Sequence, residues 1–209
     1  MVVKKEEVNQ QKENKRQLII NAALRVFSAE GYHKTRMESI AEVAGIGKGT
    51  LYEYFASKLD LFKAMIENSY NIYYQKVFEQ EMQHDNSLDK QIYELFHAHI
   101  GFCQQHWELA NILFKEQHSM GEEFKSWMRD IHVQQRQEIV AAIQLAIAAK
   151  QIRPVDADVL YQMIVGVMAG LAFSIMIESE VKPEIVTDLD IDDVCDKARE
   201  ILMQGLALK

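Results

Sequence analysis

Proline and glycine are scarce in this chain, two and nine among 209 residues. A turn-dense all-β fold needs more of both, so long helices are expected. Cysteine is as scarce as proline. The two, Cys103 and Cys195, lie far apart and form no CxxC pair. This argues against a disulfide scaffold and for a reducing, cytoplasmic setting. The first residues, MVVKKEEVNQQKENKR, lack the apolar run of a secretory signal. No nucleophile elbow and no zinc-protease signature occurs. Gly45-Ile46-Gly47-Lys48-Gly49-Thr50 departs from a phosphate loop: Glu42 stands five before Gly47, and Gly49 follows Lys48. An enzyme is therefore not expected, and no cofactor is implied.

Charge is unevenly placed. The net charge is −8, which on its own disfavours a nucleic-acid partner. Residues 1–60 hold ten Lys/Arg against eight Asp/Glu, a net of +2, and residues 61–209 hold thirteen against twenty-three, a net of −10. A phosphate-facing N-terminal part attached to an acidic body fits this split, and so does an ordinary solvated acidic surface.

The stretch TRMESIAEVAGIGKGTLYEYFASK, Thr35 to Lys58, organises the rest. Thr35 followed by Glu38 reads as an N-cap with a capping box. Ile40, Ala41 and Val43 give a short helix an apolar side. Ala44-Gly45 ends it, because glycine takes the left-handed conformation of a helix stop. A second helix starts near Gly47, with Leu51 and Phe55 on an inward face. Lys48, Gly49, Thr50 and Tyr52 are left to meet a partner. Two short helices and a tight turn make a helix-turn-helix, whose second helix enters the DNA major groove.

Taken in order, residues 1–13 are polar and charge-mixed, as in a flexible tail. A helix is expected from Asn14 to Glu30, with Leu18, Ile19, Ala22, Ala23, Val26 and Phe27 as its apolar residues. It would brace the two short helices, so that 14–60 forms one head. Ser57 with Asp60 caps a long helix beginning the body over 61–209. His84 to Ser87 reads as a loop. An amphipathic helix follows over Leu88–Cys103, then helices over about Trp107–His118, from Gly121 to about Ala149, from Asp156 or Asp158, and over about Ile191–Leu208. About nine helices and no strand result, an all-α class. Val159 to Ile177 carries no charge over nineteen residues. A membrane span, a monomer core helix and a helix shared between core and subunit interface all answer to that. Its interruptions at Tyr161, Gln162 and Ser174 and its acidic flanks count against a span, and the need to cover an all-round apolar helix on every side favours the last. Gly166 and Gly170 would let a partner helix approach, with Ile201 and Leu202 beside them, and no membrane partner is expected.

FSAEGYHKT and IAEVAGIGKGTLYEYFASKLDLF, within Lys15 to Phe62, resemble the TetR family of bacterial transcriptional regulators. GTLYEYF-x-x-K is the specific part. The resemblance implies a homodimer on a palindromic operator in double-stranded DNA, with an effector pocket in the body whose occupancy releases DNA. It implies that Gly47, Lys48, Gly49 and Thr50 open the recognition helix, that Tyr52 and Lys58 contact phosphate, and that Thr35 and Arg36 present backbone N–H groups to phosphate. Tyr54 is either a core aromatic or a DNA contact. The chain departs at Gly47, where serine is frequent, and at Glu38, where arginine is frequent.

Pocket material in the body comprises Phe96, His99, Cys103, Trp107, Phe114, His118, Trp127, Met128, Tyr161, Met163, Met168 and Phe173. With ten methionines in the chain, a small hydrophobic effector is expected. An alternative is a metal-responsive regulator, since His99, Cys103 and His106 fall at i, i+4 and i+7.

Overall fold

The computed structural model describes residues 2–76, 87–116, 119–181 and 190–207. Among these the chain is all-α, with nine helices and no strand. They are α1 (Val2–Glu30), α2 (Met37–Val43), α3 (Lys48–Tyr54), α4 (Lys58–Lys76), α5 (Leu88–Gln105), α6 (Trp107–Glu116), α7 (Glu122–Ala148), α8 (Ala157–Val181) and α9 (Ile191–Leu206). Two compact units result: Met1–Asn68 with Asn111–Phe124, and Ser69–Ala110 with Lys125–Lys209. The division falls within α4, α6 and α7.

The first unit is held by rings and aliphatic side chains. Ile19, Ala23, Phe27, Ile40, Leu51, Leu61, Phe62, Met65 and Phe124 are essentially fully buried. The Phe62 ring packs edge-on to Phe27 with centroids 5.0 Å apart, and meets Tyr32 at 4.8 Å and Phe124 at 5.9 Å. Burial of each such ring contributes about 2 kcal/mol. Helix α1 begins at Val2, ahead of the expected Asn14. Residues 9–15 are exposed, so this part of the helix buries nothing. Leu18 is 47% exposed and Val43 50% exposed. The inward faces are instead Ile19, Ile20, Ala22, Ala23, Val26 and Phe27 on α1, and Met37, Ile40 and Ala41 on α2.

The expected capping box at Thr35 does not form. Arg36 is the N-cap of α2, in an extended conformation and without a side-chain cap. The Thr35 hydroxyl, buried, donates to the Gly31 carbonyl at 2.7 Å. Gly31 is left-handed (φ 77) and closes α1, so its carbonyl turns toward Thr35. The stop after α2 is as expected. Gly45 is left-handed (φ 66), and the Ile46 N–H donates to the Ala41 carbonyl at 3.0 Å, which is a Schellman closure. Ser57 caps α4: its Oγ accepts from the Asp60 N–H at 3.0 Å and donates to the Asp60 carboxylate at 2.8 Å.

In the second unit α5 packs against α8 and α9. Ile92, Leu95, Phe96, Ile100 and Cys103 of α5 are buried with Leu160, Tyr161, Ile164 and Met168 of α8 and Cys195, Leu202 and Leu206 of α9. The Asp156 carboxylate caps α8 by accepting from the Asp158 and Val159 N–H groups at 2.9 and 3.0 Å. Asp190 caps α9 by accepting from the Asp193 N–H at 3.1 Å. Arg199 joins α9 to α5 through two bonds to Asp89 at 2.8 and 2.7 Å. The uncharged stretch of α8 is not a monomer core helix. Over Ala157–Ile175 only 28% is buried, and Val159, Met163 and Phe173 are exposed at 58%, 54% and 45%. Gly166 and Gly170 are exposed on the same helix.

Candidate nucleic-acid interface

Helix α3 turns Leu51 inward and Lys48, Tyr52 and Glu53 outward. Gly47 caps it in an extended conformation, and Phe55 anchors its end. Lys48, Gly49, Tyr52 and Glu53 are exposed, and Thr50 and Tyr54 are half-buried. Tyr52 stands 43% exposed, so it is not a core aromatic. Arg36 is exposed at the entry of α2. Thr35 is 2% exposed, so its side chain faces the fold.

Lys48 forms an ion pair with Glu38 of α2, and both side chains are more than half exposed. The Lys48 ammonium also lies 5.9 Å from the Tyr52 ring centroid. The hydrogen bond from Lys48, reinforced by its charge, holds the Glu38 carboxyl below its usual range. The reciprocal bond to Glu38 raises the Lys48 ammonium. This pairing bridges α2 and α3 across the turn. The sequence signal for it is opposite charge in the first turns of two consecutive helices.

Lys58 is placed differently from a lysine open to phosphate. Its ammonium donates to the carbonyls of Tyr32 at 2.7 Å, Thr35 at 3.0 Å and His33 at 3.2 Å. It also lies 4.6 Å from the Tyr32 ring centroid. It thus fastens the turn between α1 and α2 to the start of α4. Burial raises the Tyr32 phenol above its ordinary value, with Glu123 and Asp60 adding to the effect. His33 and Ser119 are 2.9 Å apart, and Lys63 pairs with Glu123 at 2.8 Å, which joins 119–124 to this turn and to α4.

A cleft of about 410 Å³ beside the end of α3 is lined by Asn9, Lys12, Glu13, Arg16, Glu53 and Tyr54. These residues come together only because α1 runs on ahead of the expected Asn14.

The expected pocket residues scatter. Phe96, Cys103 and Tyr161 are buried in the second unit, and His99 is largely buried there with its ring bonded to the Met168 backbone. Trp107, Trp127 and Met128 are partly exposed. Phe114, which belongs to the first unit, is 46% exposed, and Met163 and Phe173 face outward. His118 lies outside the described residues, as do His84 to Asn86 of the expected loop. Leu202 is buried within its own protomer, while Ile201 is 74% exposed. Nor do His99, Cys103 and His106 form a ligand set. Among the described residues no three His, Cys, Asp or Glu side chains converge. Burial holds the Cys103 thiol up at about 12, and His106 caps the end of α5 with its ring against Phe102.

Two short helices at a Schellman turn, with exposed Lys48, Thr50 and Tyr52 on the second, define a helix-turn-helix protein. Residues 19–65 match bacterial regulatory proteins of the tetR family, so the chain carries a tetR-family N-terminal domain. The chain is similar to the HTH-type transcriptional regulator RutR of Escherichia coli (strain K12), 44% identical over 59 residues. That match spans 28% of each chain, well under two thirds of RutR. The fold is similar to FadR of Bacillus subtilis, solved with stearoyl-CoA, at TM-score 0.76 and 20% identity over 91% of this chain and 99% of that one. It is also similar to AibR, solved with isovaleryl coenzyme A and operator DNA, at TM-score 0.65 and 18% identity over 90% and 97%.

Proposed function

We propose that the chain is a ligand-responsive transcriptional regulator that binds operator DNA through α3 and is released by a small hydrophobic effector. The exposed start of α3, presented by a buried anchor at Leu51, is the observation that carries this reading. Residues 14–60 serve as the DNA-reading head and 61–209 as the sensing and pairing body. Lys48 and Thr50 reach base edges, and Tyr52 and Arg36 reach phosphate. Gly47 and Gly49 let the backbone approach closely, and Tyr54 flanks the groove. Lys58 and Thr35 act through the turn they stabilise, which aims the N-terminus of α2. The relatives named above are regulators, which supports a binding protein in the cytoplasm rather than an enzyme.

The chain acts as a homodimer on a palindromic site. Val159, Met163, Gly166, Gly170 and Phe173 recur at helical spacing along the uncovered side of α8, with Ile201 exposed on α9. An apolar face of this kind calls for a second copy. Repression follows from dimers occupying the operator. The effector is an acyl-CoA or a similar acyl compound. The acyl-CoA-bound neighbours of like fold support this. Thermal-shift titration with acyl-CoAs of graded chain length, against free coenzyme A, tests it. Stabilisation that grows with chain length and lowers DNA affinity is expected. A response equal to that of free coenzyme A removes the acyl assignment.

A further inference from the structure

We propose that Glu38 is a specificity-determining positioning residue: it holds the Lys48 ammonium at the start of α3 for base readout and away from phosphate. This rests on the DNA-binding reading above. Lys48 is the first residue of α3 and is flanked by Gly47 and Gly49. Neither neighbour has a side chain to confine it. A lysine ammonium is a compact charge on a flexible stem with three donors. Left alone beside DNA it finds the nearest phosphate, which carries no sequence information.

Two groups prevent that drift. The Glu38 carboxylate pairs with the ammonium from α2, and the Tyr52 ring stands 5.9 Å from it on the next turn of α3. The ion pair spans two helices that the turn at Gly45 fixes relative to each other. The ammonium is therefore located by the fold rather than by the DNA. Its remaining N–H donors suit paired acceptors such as O6 and N7 of guanine, which is the base class assigned to the site. Glu38 also brings one negative charge to the interface, which weakens sequence-blind attraction. Surface ion pairs of this kind add little to stability, so the consequence of the contact lies in recognition.

The test uses the full-length chain and duplexes selected by it from a random pool, with a shuffled duplex of equal length as the reference. Glu38→Gln removes the charge and keeps the shape. It should bind the shuffled duplex more tightly, with a salt slope steeper by about 0.9, as one more phosphate contact requires. Its preference for the selected duplex should fall on the order of ten-fold, with guanine preference lost at one position per half-site. Lys48→Ala should lose the same preference, and the double variant should lose no more than Lys48→Ala alone. Glu38→Asp, which keeps the charge, should restore part of the preference. Unchanged preference in Glu38→Gln, or losses that multiply in the double variant, overturns the pairing. In that case specific binding by the wild-type chain would leave the regulator reading standing. Absence of specific binding by the wild type removes both.

Discussion

Lys58 illustrates how a single side chain acquires a role that its position in a motif does not specify. The motif suggests phosphate, whereas the fold places the ammonium against three carbonyls of the Tyr32–Thr35 turn. Charge-assisted bonds of this kind are worth about 1.5–3 kcal/mol when lost. Lys58→Ala should therefore lower stability to urea by about 2 kcal/mol, and its effect on DNA should follow from loosening of the turn. A variant as stable as the wild type, with a salt slope reduced by about 0.9, would instead mean a direct phosphate contact. Thr35 makes the same point. A threonine before a short helix reads as a cap, yet its hydroxyl is used by the Gly31 carbonyl. What decided the matter was the left-handed Gly31, whose φ no spacing of residues reveals. Leu51 and Phe55 were legible because both are apolar and four apart, and both are buried.

Helix placement was the most legible level, since it depends on signals a few residues long. Ser57 with Asp60, and Asp156, accept from the N–H groups expected at a helix start, and Asp190 does the same for α9 without having been singled out. The stop at Gly45 is the sharpest case. A Cβ there meets nothing within 4 Å, so the cost of alanine is purely that of holding φ 66. Gly45→Ala should destabilise the chain by about 1 kcal/mol and weaken DNA binding through the α2–α3 angle. Gly49→Ala also has open space and ordinary helical φ, so it serves as a control for stability.

Within α5, His99 predicts a pH effect. Burial lowers its ring to about 4, against an ordinary 6.5, with the Met168 backbone bond partly opposing. A depressed value means that the unfolded chain takes up the proton first. The stability contributed by the neutral ring is fully present above pH 6.5 and is lost as pH falls toward 4. His99→Gln should flatten that decline, and the wild type should lose on the order of a few kcal/mol relative to the variant across the window. Chemical denaturation at several pH values measures it.

At the scale of the molecule, the uneven charge and the apolar late helix were visible in sequence, but what covers α8 was not. Hydropathy is the same for a span, a core and an interface, and the exposed side chains set only the core apart from the other two. Val159, Met163 and Phe173 remain uncovered in the protomer, while Leu160, Ile164 and Met168 do not. Met163→Glu with Phe173→Glu should shift sedimentation from dimer toward monomer without lowering helix content, because both side chains already face outward. Retention of the wild-type sedimentation coefficient would place the interface elsewhere. Joining of 111–124 with the first unit was not legible either. It depends on Phe124 reaching the Phe62 ring and on Glu123 reaching Lys63, contacts about sixty residues apart in the chain.

The central claim is that the exposed start of α3 reads DNA sequence. Fluorescence anisotropy of the full-length chain on a selected duplex and on its shuffled counterpart, over a salt series, tests it most directly. The account predicts binding to the selected duplex on the order of a thousand-fold tighter or more. It also predicts log affinity falling linearly with log salt, and loss of the preference in Lys48→Ala and Thr50→Ala. Equal affinity for both duplexes, or a preference that survives both substitutions, would contradict it.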